Sequence, residues 1–222
     1  LNNKDTALLG IYQQPGANAL DVASKIEDKL EVLRQRLPQG AKIEATYDTT
    51  KFVEVSIKEV VITLFQALAL VLFVVYFFLQ SFRTTIIPAV AIPVSLIGTF
   101  ALLMAMNFSI NTLTLFGLIL AIGIVVDDAI VVVENVETNL AKNPDLTLKE
   151  ATTLAMKEVF TPVISTTLVL LAVFIPVTFI PGISGALYQQ FATTIAFAVI
   201  ISSINALTLS PALCATILKK KR

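Results

Sequence analysis

The sequence predicts an all-α polytopic membrane bundle of five transmembrane helices, preceded by a small N-terminal βαβ piece. Composition gives the first indication: the 222-residue chain is 56% hydrophobic and 14% charged, with a mean hydropathy of +0.83. These values lie far from those of an ordinary soluble domain. The second indication is five apolar runs of membrane length, and the third is an amphipathic, more polar stretch over residues 1–50.

The five apolar runs define the transmembrane domain, residues 51–222. Each has at least the ~20 residues needed to cross ~30 Å of hydrocarbon. The last run exceeds that length, so we expect it to tilt or to project from the bilayer. Residues 146–159 predict a separate interfacial helix with Thr147 and Glu150 as a capping box, and Pro162 is expected in the first turn of the next span. The predicted spans are about 60–79, 86–106, 113–133, 161–180 and 187–218.

Residues 1–50 predict a partial domain. Residues 7–13 and 42–47 have the composition of strands, and residues 20–37 repeat apolar side chains at the three-to-four spacing of an amphipathic helix, with Asn18 as its N-cap. A βαβ unit of this size cannot bury a stable core alone. We therefore expect it to be the end of a larger domain.

Lys and Arg occur in the connections on one side of the predicted membrane and are missing from those on the other side. The loops 107–112 and 181–186 contain none, whereas the alternate connections and the C-terminal tail contain eight. The positive-inside rule then makes the C-terminal tail cytoplasmic and the N-terminal segment periplasmic. The eight basic residues are Arg83, Lys142, Lys149, Lys157, Lys219, Lys220, Lys221 and Arg222.

Asp127 and Asp128 are adjacent within the third apolar run. A carboxylate at the centre of a membrane helix costs roughly 2.5–3.5 kcal/mol on insertion scales, so such groups face a bundle interior and mark proton or ion pathways. Neighbours on a helix point about 100° apart. Gly117 and Ala121 share the face of Asp128, and Gly123 shares that of Asp127, so small residues can let other helices enclose both acids.

The predicted spans contain no Lys or Arg that could pair with these acids. We expect either that both are largely protonated or that a cationic partner lies in sequence beyond this chain. The chain begins with Leu and contains no earlier segment that would carry residues 1–48 across the membrane, so we expect it to be a piece of a longer protein.

Several functional classes are excluded by residue content. Zero net charge gives no field for nucleic acid. A single cysteine, Cys214, gives no thiolate metal site, and the lack of histidine removes the usual imidazole ligands, so we expect no metal and no other cofactor. Residues 182–185 superficially resemble the nucleophile motif of a rhomboid protease, but the chain has no histidine to act as the base. An intramembrane aspartyl protease needs acids on two facing helices, and here the intramembrane acids are neighbours on one helix. The sequence therefore does not predict an enzyme.

Other polar residues lie within the predicted spans. Interhelical hydrogen bonds explain them, and a proton or water path is the alternative. They are Thr166, Thr167, Ser202, Ser203, Asn205 and Thr208.

Residues 123–137, GIVVDDAIVVVENVE, form a segment that resembles the fourth-span signature of the resistance-nodulation-division (RND) superfamily, in its AcrB-type multidrug efflux branch. Residues 48–50, 78–83, 108–114 and 209–215 support this resemblance. It implies the end of a periplasmic porter subdomain followed by spans two to six of an inner-membrane, proton-driven antiporter of amphiphilic compounds. It also implies Asp127 and Asp128 as the proton relay, a lysine partner in the missing half, and a homotrimer with a periplasmic adaptor and an outer-membrane channel.

Two alternatives stay open at this point. One is export of metal ions by a related RND pump, although Met104 and Met106 cluster at one end of a span and offer no thioether ladder. The other is a lipid-sensing membrane module of the same fold that does not transport.

Overall fold

A computed structural model describes residues 6–12, 19–38, 40–108 and 111–218. The chain divides into two compact units, Leu1–Ser56 and Ile57–Arg222. The described residues form seven helices: α1 (Ala19–Arg34), α2 (Thr50–Leu79), α3 (Phe82–Ala105), α4 (Thr112–Lys142), α5 (Leu148–Val177), α6 (Gly182–Leu207) and α7 (Leu209–Ile217).

The N-terminal unit contains the predicted helix but not the predicted strands. In α1, Lys25 pairs with Asp21 at 2.6 Å, one turn apart on an exposed face. Residues 7–12 and 42–47 are irregular, and Leu8 and Tyr47 are 74% and 86% exposed, so the βαβ prediction is wrong for the described residues. Backbone groups of a strand need a paired neighbour, and these two segments do not pair with each other. Gln13 and Asn18 lie outside the described residues.

Asp48 organises the entry into α2. Its carboxylate accepts hydrogen bonds from the Thr50 hydroxyl at 2.6 Å and the Thr50 backbone N–H at 2.9 Å. The hydroxyl bond, followed by the backbone bond, lowers the pKa of Asp48 below its ordinary value.

The five predicted membrane-length helices are confirmed. Helices α2, α3, α4 and α5, together with residues 187–217, are long and apolar enough to cross a bilayer. They differ in burial: half of the apolar window is buried in α4 and in residues 187–217, but only 11% in α2 and α5. The pair α4 and α6 therefore forms the centre of the bundle, whereas α2 and α5 lie at its periphery.

Several helix boundaries differ from the predicted spans. Helix α4 continues nine residues beyond the predicted end at Val133. Helix α5 is continuous from Leu148, so the prediction of a separate interfacial helix is wrong and Pro162 lies in a helix interior. The predicted capping box is confirmed, because Thr147 and Glu150 bond each other's backbone N–H groups.

The last predicted span is two helices. Helix α6 ends at Leu207, Thr208 has non-helical angles (φ −125°, ψ −65°), and α7 begins at Leu209. Pro211 explains the break, because it has no N–H to donate to the carbonyl of Leu207.

The bundle has two ends, named here for residues that lie at them. The "Asn111 end" contains the α3–α4 and α5–α6 connections, and Asn111 of α4's N-cap donates to Gln190 of α6 there. The "Glu137 end" contains the α4–α5 connection and α7. Its apolar core joins Ile87 of α3, Val136 of α4, Val159 of α5 and Cys214 of α7, all almost fully buried.

Candidate functional site

The two aspartates lie at the middle of the central helix. Helix α4 has 31 residues, and Asp127 lies midway between Thr112 and Lys142. The helix is regular on both sides of the pair because β-branched and other apolar residues pack against α3, α5 and α6. Asn111 starts it with a capping box that includes Thr114. The carboxyl groups are therefore held far from either end of the helix.

Asp128 faces α6. The Ser202 hydroxyl donates to Asp128 Oδ2 at 2.7 Å, and the same hydroxyl oxygen lies 3.3 Å from the carbonyl oxygen of Val125. Ser202 is 2% exposed, whereas Asp128 is half-buried. One α6 hydroxyl is thus within reach of both a side-chain acid and a backbone carbonyl of α4.

Asp127 faces away from the described bundle. It is exposed, and no described residue donates a hydrogen bond to it or forms an ion pair with it. Its face is a stripe that runs the length of α4, at three-to-four residue spacing. We call this stripe the open face; its exposed members are Phe116, Leu120, Gly123, Asp127, Val131 and Glu134.

The glycines distinguish the two faces. A Cβ atom on Gly117 would lie 3.2 Å from both the carbonyl oxygen of Phe191 and Cβ of Thr194 in α6. The predicted close approach at Gly117 is therefore confirmed, and Ala121 is fully buried beside it. A Cβ on Gly123 would meet no described atom within 4 Å.

Helix α6 connects its neighbours through polar side chains. Ser203 pairs with Thr167 of α5, and Asn205 donates to the Ser95 hydroxyl of α3 at 2.8 Å. Together with Ser202 these bonds join α6 to α3, α4 and α5. Thr166 and Thr208, which the sequence also singled out, bond to carbonyls of their own helices.

A second polar layer lies at the Glu137 end. Thr84 of α3 donates to Glu137 of α4 at 2.8 Å, and Asn139 of α4 donates to Glu158 of α5 at 3.2 Å. Glu137 is partly buried because α4 remains helical beside α3. A pairing across 53 residues leaves no local signal in one sequence.

Two other sequence features, Ser184 of the motif at residues 182–185 and the methionine pair, lie at exposed positions. Ser184 is exposed, and the glycines around it have local reasons: Gly182 has φ +90°, and a Cβ on Gly185 would overlap the Ile180 carbonyl. Met104 and Met106 are 81% and 60% exposed, and no described group of three His, Cys, Asp or Glu could hold a metal ion.

Comparison with known proteins decides the family. A sequence model described as the AcrB/AcrD/AcrF family matches residues 1–222. The chain belongs to this family. It is 53% identical over 219 residues to the multidrug export protein AcrF of Escherichia coli, a match that covers 99% of the chain and 21% of that protein.

Two other relatives show the same extent of match. The chain is 48% identical over 218 residues to the multidrug resistance protein MdtF of E. coli, and 46% identical over 218 residues to the toluene efflux pump membrane transporter TtgB of Pseudomonas putida. Each match covers 98% of the chain and 21% of the relative. The chain thus spans about a fifth of the length of the curated relatives that it matches.

The resemblance to RND multidrug efflux pumps is confirmed by these matches, which are to transporters rather than enzymes. With five membrane-length helices, the AcrB/AcrD/AcrF family chain is part of a multi-pass inner-membrane protein.

Proposed function

We propose that this chain supplies the proton-relay helix of a proton-driven antiporter that exports amphiphilic drugs and other hydrophobic compounds. The observation that carries the proposal is the pair Asp127 and Asp128 at the middle of α4, one bonded to α6 and the other on an open face. Intramembrane acids are expensive and mark proton paths. The names of the relatives, which include drug-export proteins and a toluene pump, favour this cargo over metal ions.

Ser202 gives Asp128 a way to couple its proton to helix packing. An ionised Asp128 accepts the Ser202 proton at 2.7 Å. A protonated Asp128 can instead donate to the Ser202 oxygen, and the Ser202 hydroxyl then turns toward the Val125 carbonyl, 3.3 Å away. Both arrangements satisfy the buried hydroxyl, so protonation reverses a hydrogen bond between α4 and α6 without leaving a polar group unpaired.

Asp127 receives its partner from the part of the protein outside this chain. No described cation reaches it, and an unpaired charge at this depth is unstable. A lysine that approaches the open face would favour the ionised acids, and its withdrawal would favour proton uptake. This differential interaction is what an alternating-access cycle requires.

The test is conservative substitution in the full-length protein. Asp127→Asn and Asp128→Asn each keep size and hydrogen-bonding capacity but cannot exchange a proton, so each should abolish drug export at wild-type expression and membrane insertion. Asp145→Asn, at an exposed acid in the α4–α5 connection, makes the same substitution outside the pair and should leave substantial export. Wild-type resistance conferred by either aspartate variant would remove the proton-relay role.

We also propose an orientation and an assembly. The basic connections favour a cytoplasmic Glu137 end, with residues 1–50 in the periplasm as the end of a porter subdomain. Family membership supports a homotrimer docked to a periplasmic adaptor and an outer-membrane channel.

Cysteine labelling tests the orientation. Ser184→Cys and Thr153→Cys place exposed thiols at opposite ends of the bundle, whereas Cys214 is fully buried. In protein whose other exposed cysteines are replaced, an impermeant maleimide added from the periplasm should modify Ser184→Cys and spare Thr153→Cys. The reverse pattern would overturn the topology.

A further inference from the structure

An open groove of about 640 Å³ lies between the first half of α5 and helix α7 at the Glu137 end. Its α5 wall includes Lys149, Met156, Lys157 and Phe160, and its α7 wall includes Pro211 and Ala215. The four α5 residues recur at spacings of seven, one and three, which places them along one stripe of the helix. Lys149 lies nearest the helix start, Phe160 lies nearest the apolar span, and Met156 and Lys157 are adjacent between them.

The charge of the groove is one-sided. Lys149 and Lys157 are exposed, and neither forms an ion pair within the described residues. None of the described residues that line the groove is acidic. The neighbouring acids on α5 point elsewhere: Glu150 accepts from the Thr147 N–H in the capping box, and Glu158 accepts from Asn139 of α4. Two positive charges therefore face the groove without a described counter-charge.

The depth of the groove matches the headgroup layer. Lys157 lies four residues before the apolar span that begins near Thr161, or about 6 Å along the helix axis. A headgroup layer is roughly 5–8 Å thick on each side of the hydrocarbon. Lys157 is thus at the level of lipid phosphates, and Phe160, which is 53% exposed, is at the level where acyl chains begin. Lys149 lies eight residues before Lys157, or about 12 Å further out along the helix axis, so it acts on the same headgroup through its charge rather than by direct contact.

We propose that this groove binds an anionic phospholipid. The headgroup phosphate lies at Lys157, Lys149 adds positive charge at the outer end of the groove, and an acyl chain lies over Phe160 toward Pro211. Basic pockets between membrane helices have the chemistry that recognises such lipids.

Lipid retention by the full-length protein tests the site without any transport. Protein purified in mild detergent is mixed with equal amounts of phosphatidylglycerol and phosphatidylcholine of matched chain length, and bound lipid is counted by native mass spectrometry. The wild type should retain phosphatidylglycerol preferentially. The double variant Lys149→Gln/Lys157→Gln should bind it about tenfold to thirtyfold more weakly, since each lysine near an anionic surface contributes about a factor of five.

The matched control removes two exposed charges at the same end but outside the groove, Arg83→Gln/Lys142→Gln. It should keep the wild-type preference. Equal losses in both double variants would mean that general surface charge attracts the lipid, and would overturn the site. Absence of any phosphatidylglycerol preference in the wild type would also overturn it, as expected if another segment of the longer protein covers the groove.

Discussion

The two faces of α4 carry adjacent aspartates, Asp127 and Asp128, in different environments. The face toward α6 is closed: Gly117 and Ala121 admit the α6 backbone, and Asp128 is held by Ser202. The open face has Gly123 and Asp127 at the same four-residue spacing, but no described helix covers either. A single residue step along the helix thus separates an acid whose environment this chain provides from an acid whose environment it does not.

This difference gives the two aspartates different roles in the proposed relay. Under the proposal, Asp128 would transmit protonation to α6 within this chain, whereas Asp127 and Gly123 would form the half of an interface that a cationic partner completes. Glycine on an uncovered helix face lowers helix stability by about 1 kcal/mol relative to alanine. That cost is understandable where another helix approaches closely in the whole protein.

The largest expected effect comes from filling the closed face. Gly117→Ala brings its Cβ to 3.2 Å from a backbone carbonyl of α6, which cannot rotate away, so the helices must separate. We expect overpacking to cost about 1–3 kcal/mol, only partly offset by the better helix propensity of alanine. Thermal unfolding of the purified protein, followed by size-exclusion chromatography after heating, measures the loss.

Gly123→Ala, on the same helix, is the matched control. A Cβ at Gly123 would meet no described atom within 4 Å. The Gly123 variant should therefore lose no stability from overpacking, whereas the Gly117 variant should. If both variants melt alike, close packing of Gly117 against α6 does not limit the stability of this bundle.

The sequence predicted the membrane-length helices of this bundle better than their exact ends and the contacts between them. Long apolar runs identify spans without any knowledge of partners, and adjacent acids inside such a run identify the candidate relay. The predicted ends were wrong where helices continue beyond the apolar stretch: α4 and α5 are extended by interhelical bonds such as Asn139 to Glu158. The N-terminal strands were wrong because strand pairing depends on neighbours.

The candidate site followed the same pattern: its residues could be recognised in the sequence, but their contacts could not. Ser202 was recognisable as a polar residue in a span, but its bond to Asp128 connects positions 74 residues apart and depends on how α6 is rotated. The difference between the acids also depends on which helices cover α4, and periodicity alone does not give the identity of those helices.

The open face can be tested through Gly123. Gly123→Ala and Gly123→Leu have similar helix propensities, both about 1 kcal/mol better than glycine, so the two variants should form α4 equally well. If another helix of the longer protein approaches this face, leucine but not alanine should separate it from Asp127. We expect Gly123→Leu to lose most drug export and Gly123→Ala to keep most of it, at equal expression. Equal export by both would show that nothing packs closely on this face.

The smallest expected effect is the loss of one hydroxyl on the closed face. Ser202→Ala removes the donor to Asp128, and interhelical hydrogen bonds in membranes contribute on the order of 0.6 kcal/mol. Ser203→Ala removes a comparable bond, to Thr167 of α5, and should lower thermal stability by a similar amount. The two variants should differ in function: only Ser202→Ala should alter the pH dependence of export, because only Ser202 reports the protonation of Asp128 to α6. Ser202→Thr keeps the hydroxyl and should restore the wild-type profile. If Ser202→Ala and Ser203→Ala have the same profile as the wild type, the hydrogen bond to Asp128 stabilises the bundle but plays no part in proton coupling.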